Sequence, residues 1–213
     1  MTVSEVAARR RYHHGNLRQA LITAGLELAA ENGPDAVVLR EATRRAGVSP
    51  NAAYRHFADR DALLDAVSSA AMSRLATAID AHFDAITHDG PGDVARARLR
   101  AVGTGYVAFA VEHPGLFRTA FFVPSDLERA TSTENAGPGG RAPFQLLTVA
   151  IDGLVASGLM PASRRPNAEF LAWSAVHGFA LLVIDGPLRA MPRCAVDATA
   201  QRVIDMVEAG FTK

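Results

Sequence analysis

From Asn16 onward the apolar positions of the chain recur every three or four residues, and Leu17, Leu21, Ala24 and Leu28 fall on one helical face. Asn16 and Gln19 have the spacing of a capping box at the start of that helix. Asn32-Gly33-Pro34 stops it, because Gly33 suits a left-handed C-cap and Pro34 cannot continue a helix. Two short helices follow, from about Leu39 to Ala46 and from Pro50 to Phe57, with only Gly47-Val48-Ser49 between them. Gly47 suits the positive φ of a sharp turn, Val48 can tuck into the core and Ser49 can cap the next helix. Pro50 at its first position costs nothing, since that N–H has no intrahelical partner. Asp59 is placed to cap a long helix whose apolar stripe includes Leu63, Val67, Leu75, Ile79 and Phe83, and residues 88–92 end it.

The remainder also reads as helix. Leu99, Val102, Tyr106, Phe109 and His113 line one face before Pro114, and a shorter apolar stretch runs from Leu116 to Val123. Residues 124–143 contain Gly137, Pro138, Gly139 and Gly140 and almost no apolar side chains, the composition of a mobile loop. Helices resume at Pro143–Ser157, Asn167–Ile184 and Val196–Phe211. No internal repeat or strand pattern interrupts this, so the fold class is all-α.

Length and composition narrow the function. A chain of 213 residues is long enough to bury a sizeable core in one large domain, or in a small domain fused to a larger one. Its single cysteine, Cys194, leaves no disulfide framework and no thiolate zinc site. No apolar run approaches the ~18 residues of a membrane span and no apolar h-region marks the start, so the expectation is a cytoplasmic protein without a membrane partner. The 22 basic residues balance the 22 acidic ones, which read globally argues against nucleic acid. The balance is local cancellation, however. Nine of the basic residues but only six of the acidic ones fall in residues 1–60, an excess of three that the rest of the chain offsets.

That basic segment carries the chemistry. Two short helices joined by a Gly-containing turn make a helix-turn-helix, whose second helix enters the major groove while the first braces it. The stretch LREATRRAGVSPNAAYRHFADRDALLDAV resembles the second to fourth helices of TetR-type transcriptional repressors, and YHHGNLRQALITAGLELAAENG resembles their first. Downstream, AWSAVHGFALLVIDG is similar to the Trp–His-Gly signature of one C-terminal branch, carried by Trp173, His177 and Gly178. The resemblance implies an N-terminal three-helix DNA-binding domain over residues 13–70. A helical effector-binding and dimerisation domain would follow over 71–213. Two positions depart from the pattern. Val38 stands where a Ser or Thr N-cap is usual, a loss of about 1 kcal/mol, and Thr43 replaces a small Ala facing the recognition helix.

By resemblance and helical geometry, Asn51, Ala52 and Ala53 face base edges, where Asn can pair with adenine and an Ala methyl can meet that of thymine. Tyr54 and His56 would hydrogen-bond phosphates, Tyr54 alternatively being a packing residue. Arg40, Arg44 and Arg60 are either phosphate contacts or solvated arginines, and Arg9–Arg11 either a minor-groove arm or a basic tail. His13-His14 lack a third ligand at useful spacing, so no metal or cofactor is implied. Trp173 and His177, four apart on an apolar helix, either pack the core or line an effector cavity, and the same pair of readings holds for Phe109, His113, Phe117 and Phe121.

The function this implies is a repressor that binds double-stranded operator DNA as a homodimer through its last two long helices. Close-approach faces there include Ala175, Gly178, Leu182, Val203 and Val207. A small hydrophobic or aromatic effector would release it, and its DNA affinity would fall with salt. A helical enzyme with incidental N-terminal similarity would need HExxH, a Walker loop or Gly-x-Ser-x-Gly, and none is present. An activator without an effector shares the same DNA-binding text.

Overall fold

A computed structural model describes residues 17–87, 90–123 and 127–212, and every regular element among them is helical. The order is α1 (Leu17–Asn32), α2 (Leu39–Ala46), α3 (Pro50–Ala53), α4 (Arg60–Asp84), α5 (Pro91–Glu112), α6 (Pro114–Ala120), α7 (Leu127–Ala130), α8 (Pro143–Ala156), α9 (Ala168–Ile184) and α10 (Arg193–Thr212). Asn16, His13, His14 and Arg9–Arg11 lie outside the described residues.

The first four helices form a small unit. α2 packs on α1, and the first half of α4 runs along α1, burying Leu21, Ala29, Val37, Ala42, Leu63 and Val67. Complete burial of such a Leu or Val is worth roughly 1.5–3 kcal/mol relative to leaving it in water. The sequence signals at the helix ends are realised unevenly. Asp59 does cap α4, its Oδ1 accepting the Ala62 N–H at 2.8 Å. Ser49 holds the N-cap position of α3 without a side-chain bond, and Val38 at the head of α2 likewise supplies none. Gly33 has a positive φ of 77° but a ψ of −169°, so α1 ends in an extended glycine rather than the expected left-handed cap. Pro34 then opens a short 3-10 turn.

α4 continues unbroken past residue 70 into a second unit, where α5 lies between α4 and α8 on one side and α9 and α10 on the other. By length and mean hydropathy Arg60–Phe83 is long and apolar enough to cross a bilayer, although charged residues interrupt it. Its hydropathy comes from many alanines, and half of the stretch is buried inside the protein as core helix.

The glycine-rich connection is not the free loop that its composition suggests. Residues 133–135 make a 3-10 turn with Asn135 buried, and Ser73 Oγ on α4 donates to the Ala136 carbonyl at 2.6 Å. Small residues serve close approach here: Gly137 and Gly139 both lie over the Asp80 carboxylate. The segment is a strap on α4, joined to α8 where Gln145 Oε1 accepts the Ala142 N–H.

Candidate nucleic-acid interface and effector cavity

The turn between α2 and α3 follows from Gly47. Its φ of 66° reverses the chain, its N–H donates to the Arg44 carbonyl at 3.3 Å, and the Val48 N–H reaches the Thr43 carbonyl at 3.0 Å. That pair of bonds satisfies the last carbonyls of α2 and fixes the entry of α3. Thr43 is buried, and its hydroxyl donates to the Arg40 carbonyl at 2.8 Å, so the larger side chain is tolerated without an orphaned polar group.

α3 is shorter than the expected 50–57. Regular helix ends at Ala53, and the Phe57 N–H bonding to the Ala53 carbonyl carries the chain one turn further. Ala53 and Phe57, four apart, are both buried and anchor this turn to the core. Ala53 has no exposed surface, so its methyl packs against the protein and cannot meet a base edge. Asn51 is exposed and Ala52 half-buried, while Tyr54 (58% exposed), Arg55 and His56 stand out in solvent.

The arginines divide into bound and free. Arg44 is paired with Glu41 through Nε and Nη2, and Arg45 with Glu31 at 2.5 Å. Those hydrogen bonds hold the Glu31 and Glu41 carboxyls below the usual carboxylate range. Arg60 donates through Nε to the Val37 carbonyl at 3.0 Å and through Nη2 to that of Pro34 at 3.1 Å. It thereby ties the start of α4 to the lead-in of α2, a bracing role that neither expected reading, phosphate contact or solvated arginine, includes. Arg18 lies over the Phe57 ring, 5.4 Å from its centroid. Arg40 and Arg55 are exposed and make no ion pair with any described residue.

Arg55 shares the exposed side of this turn with Tyr54 and His56, though it is not among the contacts that the resemblance implies. Its spacing to Asp59 is that of an i,i+4 pair, but the helix has ended by then and Asp59 is occupied as a cap. The signal available in the sequence was the N-cap role of Asp59, which removes the one acid placed to neutralise Arg55.

The second unit encloses a cavity of about 60 Å³ between α4, α5, α8, α9 and α10. Among the described residues its wall has no charged side chain, and Met72, Tyr106, Phe121, Phe144 and Trp173 are its largest side chains. Trp173 Nε1 donates to Tyr106 Oη at 3.1 Å, and Tyr106 Oη lies 2.7 Å from His177 Nδ1. Burial pushes the Tyr106 phenol far up, so it keeps its proton, and lowers the His177 imidazole, so it stays neutral.

Residues 21–67 match the model of bacterial regulatory proteins of the tetR family. Residues 99–207, just over half of the chain, match that of the tetracyclin repressor-like C-terminal domain. The chain belongs to the TetR family. It is accordingly a DNA-binding transcriptional regulator, and its all-α architecture is that of the family. No curated protein matches it. A protein of unknown function from Rhodococcus sp. RHA1 superposes with a TM-score of 0.72 at 28% identity, over 95% of this chain and 98% of that one. A TetR-family transcriptional regulator from Pectobacterium atrosepticum does so with 0.67 at 18% identity, over 95% and 97%. A variant of TetR from Acinetobacter baumannii AYE in complex with minocycline gives 0.56 at 21% identity, over 89% and 93%. The last two likenesses are of fold.

Within this TetR-family frame the expected effector residues separate. Phe121 and Trp173 line the cavity. His177 stands behind Tyr106, and Phe117 is wholly buried, its ring edge-on to Tyr106 at 5.4 Å. Phe109 and His113 do not join them; their rings, 5.2 Å apart, line a separate groove that also holds His82, Arg193 and Gln201. Helical spacing put all of these on recurring faces but could not say which neighbour each face meets. Val207, one of the residues expected at a dimer face, is half-buried and also lines the cavity. Among the described residues no group of three His, Cys, Asp or Glu side chains is placed to hold a metal.

α6 connects the two units. Phe117 belongs to the aromatic cluster around Tyr106, and at the other end Gly115 lies against the last turns of α1. Ser68 Oγ of α4 donates to the Ala120 carbonyl at 3.2 Å, tying α6 to α4 as well.

Proposed function

We propose that this chain is a transcriptional repressor that holds operator DNA as a homodimer and releases it when a small uncharged, hydrophobic or aromatic effector enters the cavity. The observation that carries this reading is α6, which stands between the aromatic cluster of the cavity and the backbone of α1. A ligand that moves Phe121 or Tyr106 acts on an element in direct contact with the DNA-binding unit. The division of labour is a DNA-binding part over residues 13–70 and an effector and dimerisation part over 71–213, acting in the cytoplasm. That a protein of the same fold holds minocycline supports a ligand-taking role.

On the DNA side, Asn51 and Ala52 present the groove-facing surface, with Tyr54, His56, Arg40 and Arg55 available to phosphates. One short helix reads too few bases, so two copies about one DNA turn apart, ~34 Å, are required. Leu171, Leu181 and Leu182 make an exposed face along α9 beside the half-buried Gly178, with Met206 exposed on α10, as the contact between copies. Releasing DNA by moving occupancy from 1:99 to 99:1 takes about 5.5 kcal/mol of effector preference for the released state.

The test is to recover bound fragments from genomic DNA and titrate the fragment–protein complex with neutral aromatic compounds in a gel shift. Specific binding, and its loss with a compound that perturbs Trp173 fluorescence, are the expected results. Retention of DNA in the presence of every compound that occupies the cavity overturns effector release. Reporter output that rises with the protein makes it an activator.

A further inference from the structure

We infer that the cavity selects a single-ring neutral aromatic bearing a hydrogen-bond donor, the phenol class, because the direction of the Trp173–Tyr106–His177 chain leaves one acceptor facing the ligand. This rests on the reading above that the cavity receives the effector.

The direction of the chain follows from donor chemistry and distance. The indole N–H can only donate, so Tyr106 Oη accepts from Trp173. His177 Nδ1, at 2.7 Å, is the one acceptor within reach of the Tyr106 hydroxyl among the described residues, and a buried O–H left without an acceptor is costly. Tyr106 therefore donates its proton to Nδ1, and the neutral imidazole carries its own proton on Nε2. A phenolic hydroxyl has one donor and two acceptor lone pairs. With the proton and one lone pair committed, Tyr106 retains a single lone pair, and the residue lines the cavity. Of the described residues that line the cavity, only Tyr106 and Trp173 carry a side-chain oxygen or nitrogen, and the indole N–H is already used.

Charge and size complete the specification. A carboxylate or ammonium would enter an uncharged wall with no counter-ion, a heavy desolvation cost. An apolar cavity of roughly 150 Å³ admits benzene, so about 60 Å³ accepts one ring at most, and only after Met72 gives way. The flexible thioether suits that role.

The experiment uses the full chain and four probes, phenol, toluene, acetophenone and benzoate, followed by calorimetry and by the fluorescence of Trp173, the one tryptophan. Phenol should bind about fivefold or more tightly than toluene or acetophenone, and benzoate should not bind. Tyr106→Phe should abolish the phenol preference while toluene still binds, and the comparison within the natural protein stands even if that variant folds poorly. Equal affinity for phenol and toluene, or no binding of either, overturns the proposal. A preference for acetophenone overturns it too, by reversing the direction of the chain. The effector reading fails separately. If phenol is preferred but the genomic fragment stays bound in the gel shift, the ligand class stands and release is wrong. If the fragment is released by a compound that does not compete with phenol, the effector site lies elsewhere and the effector reading falls, while the ligand class is decided by the phenol–toluene comparison.

Discussion

Gly115, at the start of α6, lies so close to α1 that a Cβ on it would overlap the Ala29 carbonyl oxygen and stand 2.8 Å from that of Ala30. Both atoms are backbone near the end of a helix, and neither can rotate aside as a side chain can. An alanine in an open helical position would stabilise the protein by up to about 1 kcal/mol relative to glycine. Gly115→Ala should do the opposite, costing roughly 1–3 kcal/mol by overpacking, and it should weaken operator binding by separating α6 from α1. Denaturant midpoints and gel shifts on the same variant measure the two effects. A gain in stability with wild-type operator affinity would show that the contact is not a constraint.

Arg55 and Arg44 sit on the same small unit, both exposed, but Arg44 is held by Glu41 whereas Arg55 has no acid partner among the described residues. The salt dependence of binding separates them, since log K falls with log salt by about 0.9 per phosphate neutralised. Arg55→Ala should reduce that slope by roughly two in a dimer carrying two copies. Arg44→Ala should leave it near the wild-type value. Identical slopes for Arg55→Ala and the natural protein would remove Arg55 from the DNA contact.

These two arginines also show how far the sequence could be read. Helix positions, the Gly47 turn, the Asp59 cap and the family resemblance all rest on local spacing, which periodicity reports directly. Whether a charge is free depends on which partner reaches it. Arg60 was spaced like a phosphate contact and is spent on the Val37 and Pro34 carbonyls. Ala53 sits among groove-facing positions, yet it shares the buried side of its turn with Phe57 because α3 ends early. In the second unit, Trp173 and Phe121 meet across helices while Phe109 and His113 face a different groove, a matter of helix crossing that one helix's spacing does not contain. The glycines of residues 137–140 read as loop because composition cannot distinguish freedom from close approach to Asp80.

His177 supplies a pH test of the cavity wall. Burial lowers its folded-state pKa below the ordinary value of 6.5, so the unfolded chain takes up a proton more readily than the folded one just below that value. Its contribution is fully present above the unfolded pKa and is lost as pH falls through about 6.5 toward the lower folded value. Thermal midpoints should therefore drop between neutral and mildly acidic pH, and His177→Gln should flatten that part of the profile. An unchanged profile in the variant would assign the acid sensitivity to other groups.

The apolar face of α9 gives the last expectation. Leu171 is 66% exposed and Leu182 44%, and between them Gly178 has open space where a Cβ would stand. The three share one stripe of the helix, the arrangement that lets two helix backbones come close. Soluble proteins seldom leave such a stripe uncovered, and a short recognition helix needs a second copy to hold DNA. Leu171→Glu with Leu182→Glu places like charges on both copies of the contact without touching the cavity wall or α3. Sedimentation should then give a monomer that keeps its helical content, and operator affinity should fall by orders of magnitude, since one half-site supplies only half of the contacts. A variant that remains dimeric would move the contact between copies away from this face. A monomer that still binds the operator at wild-type affinity would instead refute the need for two copies.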